Sequence, residues 1–367
     1  MPYSNCNLPS YPCECDVWDI LKNETRPIMV YGMGNGADKL FSRFLEYGIS
    51  VKEVFASDGF VRGHSYRGYR VRSFSDIKAM YSDFVIVISF ASNKPDVIEM
   101  LKEIDGKYEA YIPDMPIAGV EEYFDRKFYN DNYESIRRVY DMLCDEDSRN
   151  LFAAVVNYKL TGKMSYLLSA YSSKDELYSL IKQKNIKTVI DAGAYNGDTA
   201  KEAVKYFDNL DKIYAIEPDK RNFKKLSSYL DSIDVNSEAI NCAVWSECRL
   251  GSFASSANRN STLSATASFE HKSEEIALVS IDSLSVEEVD YIKYDVEGAE
   301  YEALLGSENT IRSHRPILLV SLYHRSADIF ALPIYLCKAF QGYKFYMRRL
   351  YCLPAWELDL IMIPDEG

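Results

Sequence analysis

The chain has 367 residues, 47% of them hydrophobic and 26% charged, which fits a folded globular protein and excludes a disordered one. At roughly 100–200 residues per domain, that length predicts two domains, each able to bury its own core. Acidic residues number 55 against 42 basic ones, a formal net charge of -13, which argues against a nucleic-acid partner because phosphate binding needs a basic surface.

The first 20 residues lack a basic region followed by an apolar core, so they do not read as a signal peptide. The longest apolar runs, such as Ile317–Leu322, are far shorter than the roughly 20 residues of a membrane span. A cytoplasmic, reducing location is the expectation. The eight cysteines are scattered and do not form a disulfide scaffold. Cys6, Cys13 and Cys15 cluster, but no fourth zinc ligand lies near them in sequence.

Two strand–glycine turn–helix openings follow in chain order. In the first, Ile28–Tyr31 leads into GMGNGA (Gly32–Ala37) and an amphipathic stretch to Tyr47. The turn fits G-x-G-x-x-G/A, and Asp58 follows the predicted strand Val51–Ala56 at about the distance of a ribose-binding carboxylate. The functional reading is a nucleotide or nucleotide-sugar site; the alternative is a retained scaffold with no ligand. Gly119–Lys184 then has no proline and repeats apolar residues at helical spacing (Ile136, Val139, Tyr140, Leu143, then Leu151, Phe152, Val155, Val156). Asp147 or Ser148 is the predicted N-cap of the second helix there. The expected organisation is a Rossmann-like domain at 1–118, a helical connector at 119–184 and a second domain at 185–367.

The second opening is Thr188–Ile190 followed by DAGAYNGDT. Asp191, Gly193 and Gly197 form a predicted cradle at a helix start. The next predicted strand, Lys212–Ile216, ends in Glu217-Pro218, which places a carboxylate to accept both hydroxyls of a ribose. Asn241 and Ala243 follow the third strand, where an adenine would lie. Arg249–Lys272 is rich in Ser, Ala, Thr and Asn and reads as a hairpin or lid, with Asn258, Arg259, Asn260 and Ser261 as candidate acceptor contacts; a bare surface loop is the alternative. Asp290–Tyr294 reads as a strand ending in Asp295, with Glu297, Gly298 and Glu300 opening a helix. Strand Pro316–Tyr323 ends in His324, and Tyr343–Leu350 with Leu358–Ile363 reads as a closing hairpin. Asp191, Glu217, Asp295 and His324 would then meet outside the carboxyl ends of an open sheet, where such folds bind ligands.

The motifs VIDAGAYNGDT, AIEPD, INCAV, SIDSL, DYIKYDVEGAE and RPILLVSLYH run in order from Val189 to Pro364. In them the chain resembles the FkbM family of S-adenosylmethionine-dependent methyltransferases. The resemblance implies an α/β class I methyltransferase fold, a seven-stranded Rossmann-like sheet whose last strand is antiparallel. It implies S-adenosylmethionine as methyl donor, with Asp191, Gly193, Ala194, Tyr195, Asn196, Gly197 and Thr199 on the methionine side. Glu217 and Pro218 would take the ribose, and Asn241, Cys242 and Ala243 the adenine. The family usually has Asn where this chain has Tyr195.

A hydroxyl acceptor needs a general base or a metal that lowers its pKa. Asp295 and His324 are the candidate bases; Asp295 with Glu297 could instead hold Mg²⁺. The expected reaction is methyl transfer to a hydroxyl of a sugar, glycan or other small metabolite. The alternatives are an NAD-dependent oxidoreductase using GMGNGA with Asp58, and a non-catalytic binding protein. Assembly with further copies of the chain is left open. There are 29 tyrosines, an apolar face with one hydroxyl each, and many fall in the connector and near predicted strand ends (Tyr158, Tyr166, Tyr171, Tyr195, Tyr294, Tyr323), where they suit a sugar-like acceptor or, alternatively, packing between connector and sheet.

Overall fold

The computed structural model describes residues 6–118, 122–254, 262, 263 and 273–365. Val17–Lys22 (α1) precedes the first sheet, and Asp16 caps it by accepting from Trp18 and Asp19 N–H. Ile28–Tyr31 (β1) leads into Asn35–Tyr47 (α2) and Val51–Ala56 (β2). A small hairpin, Ser65–Tyr66 (β3) and Tyr69–Arg70 (β4), precedes Arg72–Ser73 (β5) and Phe74–Met80 (α3). Val85–Ile88 (β6), Pro95–Asp105 (α4) and Glu109–Tyr111 (β7) complete a parallel sheet in the order β5-β2-β1-β6-β7. Strands IMVY and VIVI are buried along their whole length, as central parallel strands with helices on both faces must be.

Five helices come next: Arg126–Asp131 (α5), Tyr133–Met142 (α6), Glu146–Thr161 (α7), Ser165–Leu168 (α8) and Lys174–Ile181 (α9). The cap of α7 is Asp145, which accepts from Ser148 N–H, and not Asp147 or Ser148. The cause lies outside the helix: Arg348 reaches both Asp145, at 2.6 Å, and the Ser148 hydroxyl, at 2.9 Å. In α7 the run from Leu151 to Val156 is buried on every side, because the helix packs within one core shared by both sheets.

The second sheet begins with Thr188–Ala192 (β8), Asp198–Tyr206 (α10), Lys212–Ile216 (β9), Lys220–Leu230 (α11) and Asn236–Ile240 (β10). Ala243–Val244 (β11), Arg249–Ala254 (β12), Thr262–Leu263 (β13) and Ser273–Val279 (β14) form a side sheet in which β12 and β14 pair antiparallel. Asn258, Arg259, Asn260 and Ser261, the candidate acceptor contacts of the Ser-rich segment, lie outside the described residues. Tyr291–Tyr294 (β15), Glu300–Leu305 (α12), Glu308–His314 (α13), Ile317–Ser321 (β16), Asp328–Ala339 (α14), Tyr343–Arg349 (β17) and Leu358–Pro364 (β18) follow. The main sheet has seven strands in the order β10-β9-β8-β15-β16-β18-β17, and β18 is antiparallel to both neighbours. That is the predicted class I methyltransferase topology, with its switch point between β8 and β15.

All eight cysteines are free, and the Cys13 thiol donates to the Cys15 carbonyl. No helix among the described residues is long and apolar enough to cross a membrane.

Candidate functional site

The glycine turn after β8 is laced into the neighbouring strand ends. The N–H groups of Gly193 and Ala194 both donate to the Ile216 carbonyl, at 3.0 and 2.9 Å, and Asp295 N–H donates to the Ala192 carbonyl. Gly193 has φ +90, and a Cβ there would lie 1.9 Å from the Asp295 carbonyl oxygen. No other residue lets β8 and β15 end side by side. Tyr195 also takes a left-handed conformation, with φ +46, which explains why Asn suits that position. Tyr195→Asn is therefore expected to raise unfolding free energy in urea by about 0.5–1 kcal/mol. A loss of stability would show that the tyrosine ring packs more strongly than the backbone strains.

Glu217 stands at the tip of β9. Its two oxygens accept from the N–H groups of Tyr195 and Asp219, each at 2.8 Å. Burial is the main reason that its pKa is pushed up to about 7, against the pull of those donors. The Asn241 amide donates to the Glu217 and Pro218 carbonyls, at 2.8 and 3.1 Å. Asn241 thus holds the Glu217 loop and is not itself on the cavity wall. Asp191 lies inside β8 beside Lys293 of β15, fully buried, with neither carboxylate oxygen hydrogen-bonded. Burial pushes its pKa up to about 7 while Lys293 pulls it down.

A cavity of about 610 Å³ opens at these strand ends. Gly193, Tyr195, Thr199, Glu217, Pro218, Cys242, Ala243, Asp295 and Glu297 line it, together with Tyr171 and Tyr323. Of the other predicted residues, Asp191, Ala194, Asn196, Gly197, Asn241 and His324 stand behind or beside the lining. Gly197 starts α10 at φ +87.

Asp295, Glu297 and His324 come together. His324 Nε2 lies 3.5 Å from Asp295 and 3.6 Å from Glu297, and Nδ1 lies 2.9 Å from Glu300. Burial disfavours charge on the ring, but Glu300, then Asp295 and Glu297, outweigh it and raise its pKa to about 10. A pKa raised that far favours the imidazolium at neutral pH, which weighs against His324 as the proton acceptor. Asp295 is the opposite case. Burial would raise its pKa, yet Lys293 at 3.3 Å and His324 hold it below the usual carboxylate range, and the Tyr323 hydroxyl donates to it. Glu297, at φ +54, is pushed up to about 8, chiefly by burial.

Mg²⁺ at Asp295 and Glu297 finds no support among the described residues. Among the described residues no group of three or more His, Cys, Asp or Glu is disposed to hold a metal ion. The space between Asp295 and Glu297 faces the His324 cation.

Sequence reasoning missed Lys293, Tyr291 and Asp359. Lys293 and Tyr291 share the face of Asp295 at a spacing of two, the period of a strand, so the motif DYIKYD carried the signal. Asp359 is a lone carboxylate in the apolar strand LDLIMIP, and burial pushes its pKa up to about 7.

Two glycines of the N-terminal turn, Gly32 and Gly36, pack closely on the chain itself, while Gly34 faces open space. A Cβ at Gly36 would lie 2.2 Å from the Ser89 carbonyl, and one at Gly32 would meet Phe90 at 2.7 Å, so these glycines let α2 and the turn pack on the end of β6. The Asp58 carboxylate accepts from the Ser75 N–H and hydroxyl, at 3.0 and 2.5 Å. Tyr66 and Arg67 of the small hairpin donate to Asp38, at 2.6 and 2.9 Å.

A seven-stranded sheet with this order, a glycine turn at its switch point and a carboxylate at the tip of the second strand define a class I S-adenosylmethionine-dependent methyltransferase. Residues 191–345 match the methyltransferase FkbM domain. A crystal structure of methyltransferase FkbM from Methylobacillus flagellatus KT is 18% identical, with a TM-score of 0.71 over 97% of this chain and 94% of that one. The similarity thus extends over both sheets, as a likeness of fold. An rRNA methylase from Streptococcus thermophilus is 13% identical, with a TM-score of 0.35 over 52% of this chain and 95% of that one. Aeropyrum pernix fibrillarin, solved with natively bound S-adenosyl-L-methionine, is 15% identical, with a TM-score of 0.33 over 52% of this chain and 74% of that one. No curated protein matches the chain.

Proposed function

We propose that the protein methylates a hydroxyl group of a sugar or another hydroxylated metabolite. The observation that supports this most is one cavity lined by both Glu217 and Asp295, whose carboxyl is held below the usual carboxylate range. The residues at the Glu217 end fit the cofactor. Glu217 would accept from the ribose hydroxyls, Cys242 and Ala243 would flank the adenine, and the turn at Gly193 would lie against the methionine. S-adenosylmethionine, when bound, supplies a methyl group already activated on a sulfonium.

What remains for the chain is alignment, exclusion of water and management of one proton. Asp295 would accept the hydroxyl proton as the acceptor oxygen takes the methyl group and the carbon–sulfur bond breaks. Lys293 and His324 keep Asp295 ionised and in place. Glu297, whose pKa of about 8 leaves it protonated at neutral pH, could donate a hydrogen bond to the acceptor.

Calorimetry with S-adenosylhomocysteine tests the cofactor half, and transfer of label from [methyl-³H]S-adenosylmethionine to a panel of sugars tests the reaction. Asp295→Asn is expected to keep S-adenosylhomocysteine affinity within about threefold and to lose transfer by roughly 100-fold or more. A folded wild-type protein that does not bind S-adenosylhomocysteine would overturn the reading. So would an Asp295→Asn variant of undiminished activity.

A further inference from the structure

The same cavity is also lined by residues of α9, α10, β15, β16 and β18. Its charges are unbalanced. Among the described residues two cations line it, Lys174 and Lys293, and each is paired with a carboxylate of the same lining: Lys174 with Glu202 and Lys293 with Asp295. Glu202 also accepts from the Tyr178 hydroxyl at 2.7 Å. Asp359 accepts from the Ser321 hydroxyl at 3.1 Å and has no lysine or arginine partner among the described residues. Among the described lining residues no unpaired Lys or Arg is offered to a phosphate or carboxylate, the groups that recognition by Lys or Arg would serve.

A second observation points to a ligand. Tyr291 is 0% exposed and lines the cavity, yet its hydroxyl has no hydrogen-bond partner in the protein. Lys293, Asp191, Asp359 and Glu202 are the charged groups that act on it. A buried polar atom left unsatisfied is costly, and a cavity wall is where a ligand can satisfy it. At the mouth the Tyr171 and Tyr351 rings pack with centroids 4.3 Å apart. That mouth also includes Asn93 of the first unit, held by the paired bonds of Ser92 with Leu353 at 2.7 and 2.9 Å.

We propose that the acceptor is a sugar unit bearing an ammonium group, and that the cavity turns away sugars bearing phosphate or carboxylate. The proposal rests on the methyltransferase reading above. An ammonium offers three donors and no acceptor, which suits Asp359 and the Tyr291 oxygen, and its charge offsets the carboxylate excess. Of the tyrosine rings at the mouth, Tyr351 already carries the Lys102 ammonium 5.7 Å from its centroid, which leaves the Tyr171 ring to face the same cation.

The test uses the full chain saturated with S-adenosylhomocysteine. Methyl α-glucosaminide, its N-acetyl counterpart and methyl glucuronide are titrated at pH 7 and followed by saturation-transfer NMR. The glucosaminide is expected to bind at least tenfold more tightly than the N-acetyl sugar, with no binding of the glucuronide. Asp359→Asn should reduce that tenfold preference to threefold or less. Should that variant fail to fold, Glu202→Gln should do the same, because it frees the charge of Lys174. Equal or tighter binding of the N-acetyl sugar or the glucuronide overturns the proposal, as does binding of none of the three. Failure of S-adenosylhomocysteine itself to bind overturns the methyltransferase reading instead.

Discussion

Glu217→Gln is expected to bind S-adenosylhomocysteine about 100-fold more weakly than the wild type at pH 8, a loss of about 3 kcal/mol. Two effects add. The ribose hydroxyls lose a charged acceptor, and hydrogen bonds to charged groups are the stronger kind. In addition, both Glu217 oxygens accept backbone N–H groups, from Tyr195 and Asp219, so the amide of Gln would turn a donor toward one of them. The wild type carries the same effect in its pH dependence. Burial raises the Glu217 pKa to about 7, so lowering the pH from 8 to 6 converts the carboxylate to the neutral acid. Affinity should fall roughly tenfold over that interval if only the ionised form takes the ribose. Calorimetry across that range reads both effects. Unchanged affinity in the variant, or wild-type binding that strengthens toward acid, would sink the assignment of Glu217.

Gly193→Ala is expected to cost roughly 3–5 kcal/mol of unfolding free energy in urea. The added Cβ would sit 1.9 Å from the Asp295 carbonyl oxygen and 2.7 Å from its carbon, both backbone atoms held by strand pairing. Relief requires β8 and β15 to part at the point where the cavity begins. Gly34→Ala is the control. Gly34 has φ +111 but no atom within 4 Å of a would-be Cβ, so it should cost only the conformational part, about 1–2 kcal/mol. Equal losses at the two positions would refute the close approach.

The second sheet was legible because its signals are local. Each strand end carries its own punctuation, glycine at 193, Glu-Pro at 217 and Asp295 after an apolar run, and the family motifs fall in the same order. What sequence could not separate is a glycine that admits a ligand from one that admits the chain itself. Gly193 and Gly36 look alike in sequence, yet Gly36 spends its freedom on the Ser89 carbonyl. Asn241 was placed near an adenine because it follows a strand, but an amide that can reach two carbonyls of the neighbouring loop serves those first. The cap of α7 was missed by two residues because the choice depends on Arg348, some 200 positions away. The charge state of His324 was not legible in sequence, since Glu300, Asp295 and Glu297 together raise its pKa and no single neighbour reveals that.

The buried acids around the cavity have a consequence for the empty protein. Asp191, Glu217 and Asp359 have pKa values raised to about 7, Glu297 to about 8 and His324 to about 10. Each shift is upward, so the folded chain holds protons that the unfolded chain would already have released. For the four carboxyls the contribution to stability is full only below about pH 4 and is lost as the pH climbs from there to the raised values; for His324 it is full below about pH 6 and is lost toward pH 10. Occupancy by a cationic donor runs the other way, since it favours the ionised carboxylates. Protons and the sulfonium therefore compete as counterions for one set of charges. Filling the cavity should release protons to the buffer, and acidification should expel its contents while leaving the empty fold firmer than before.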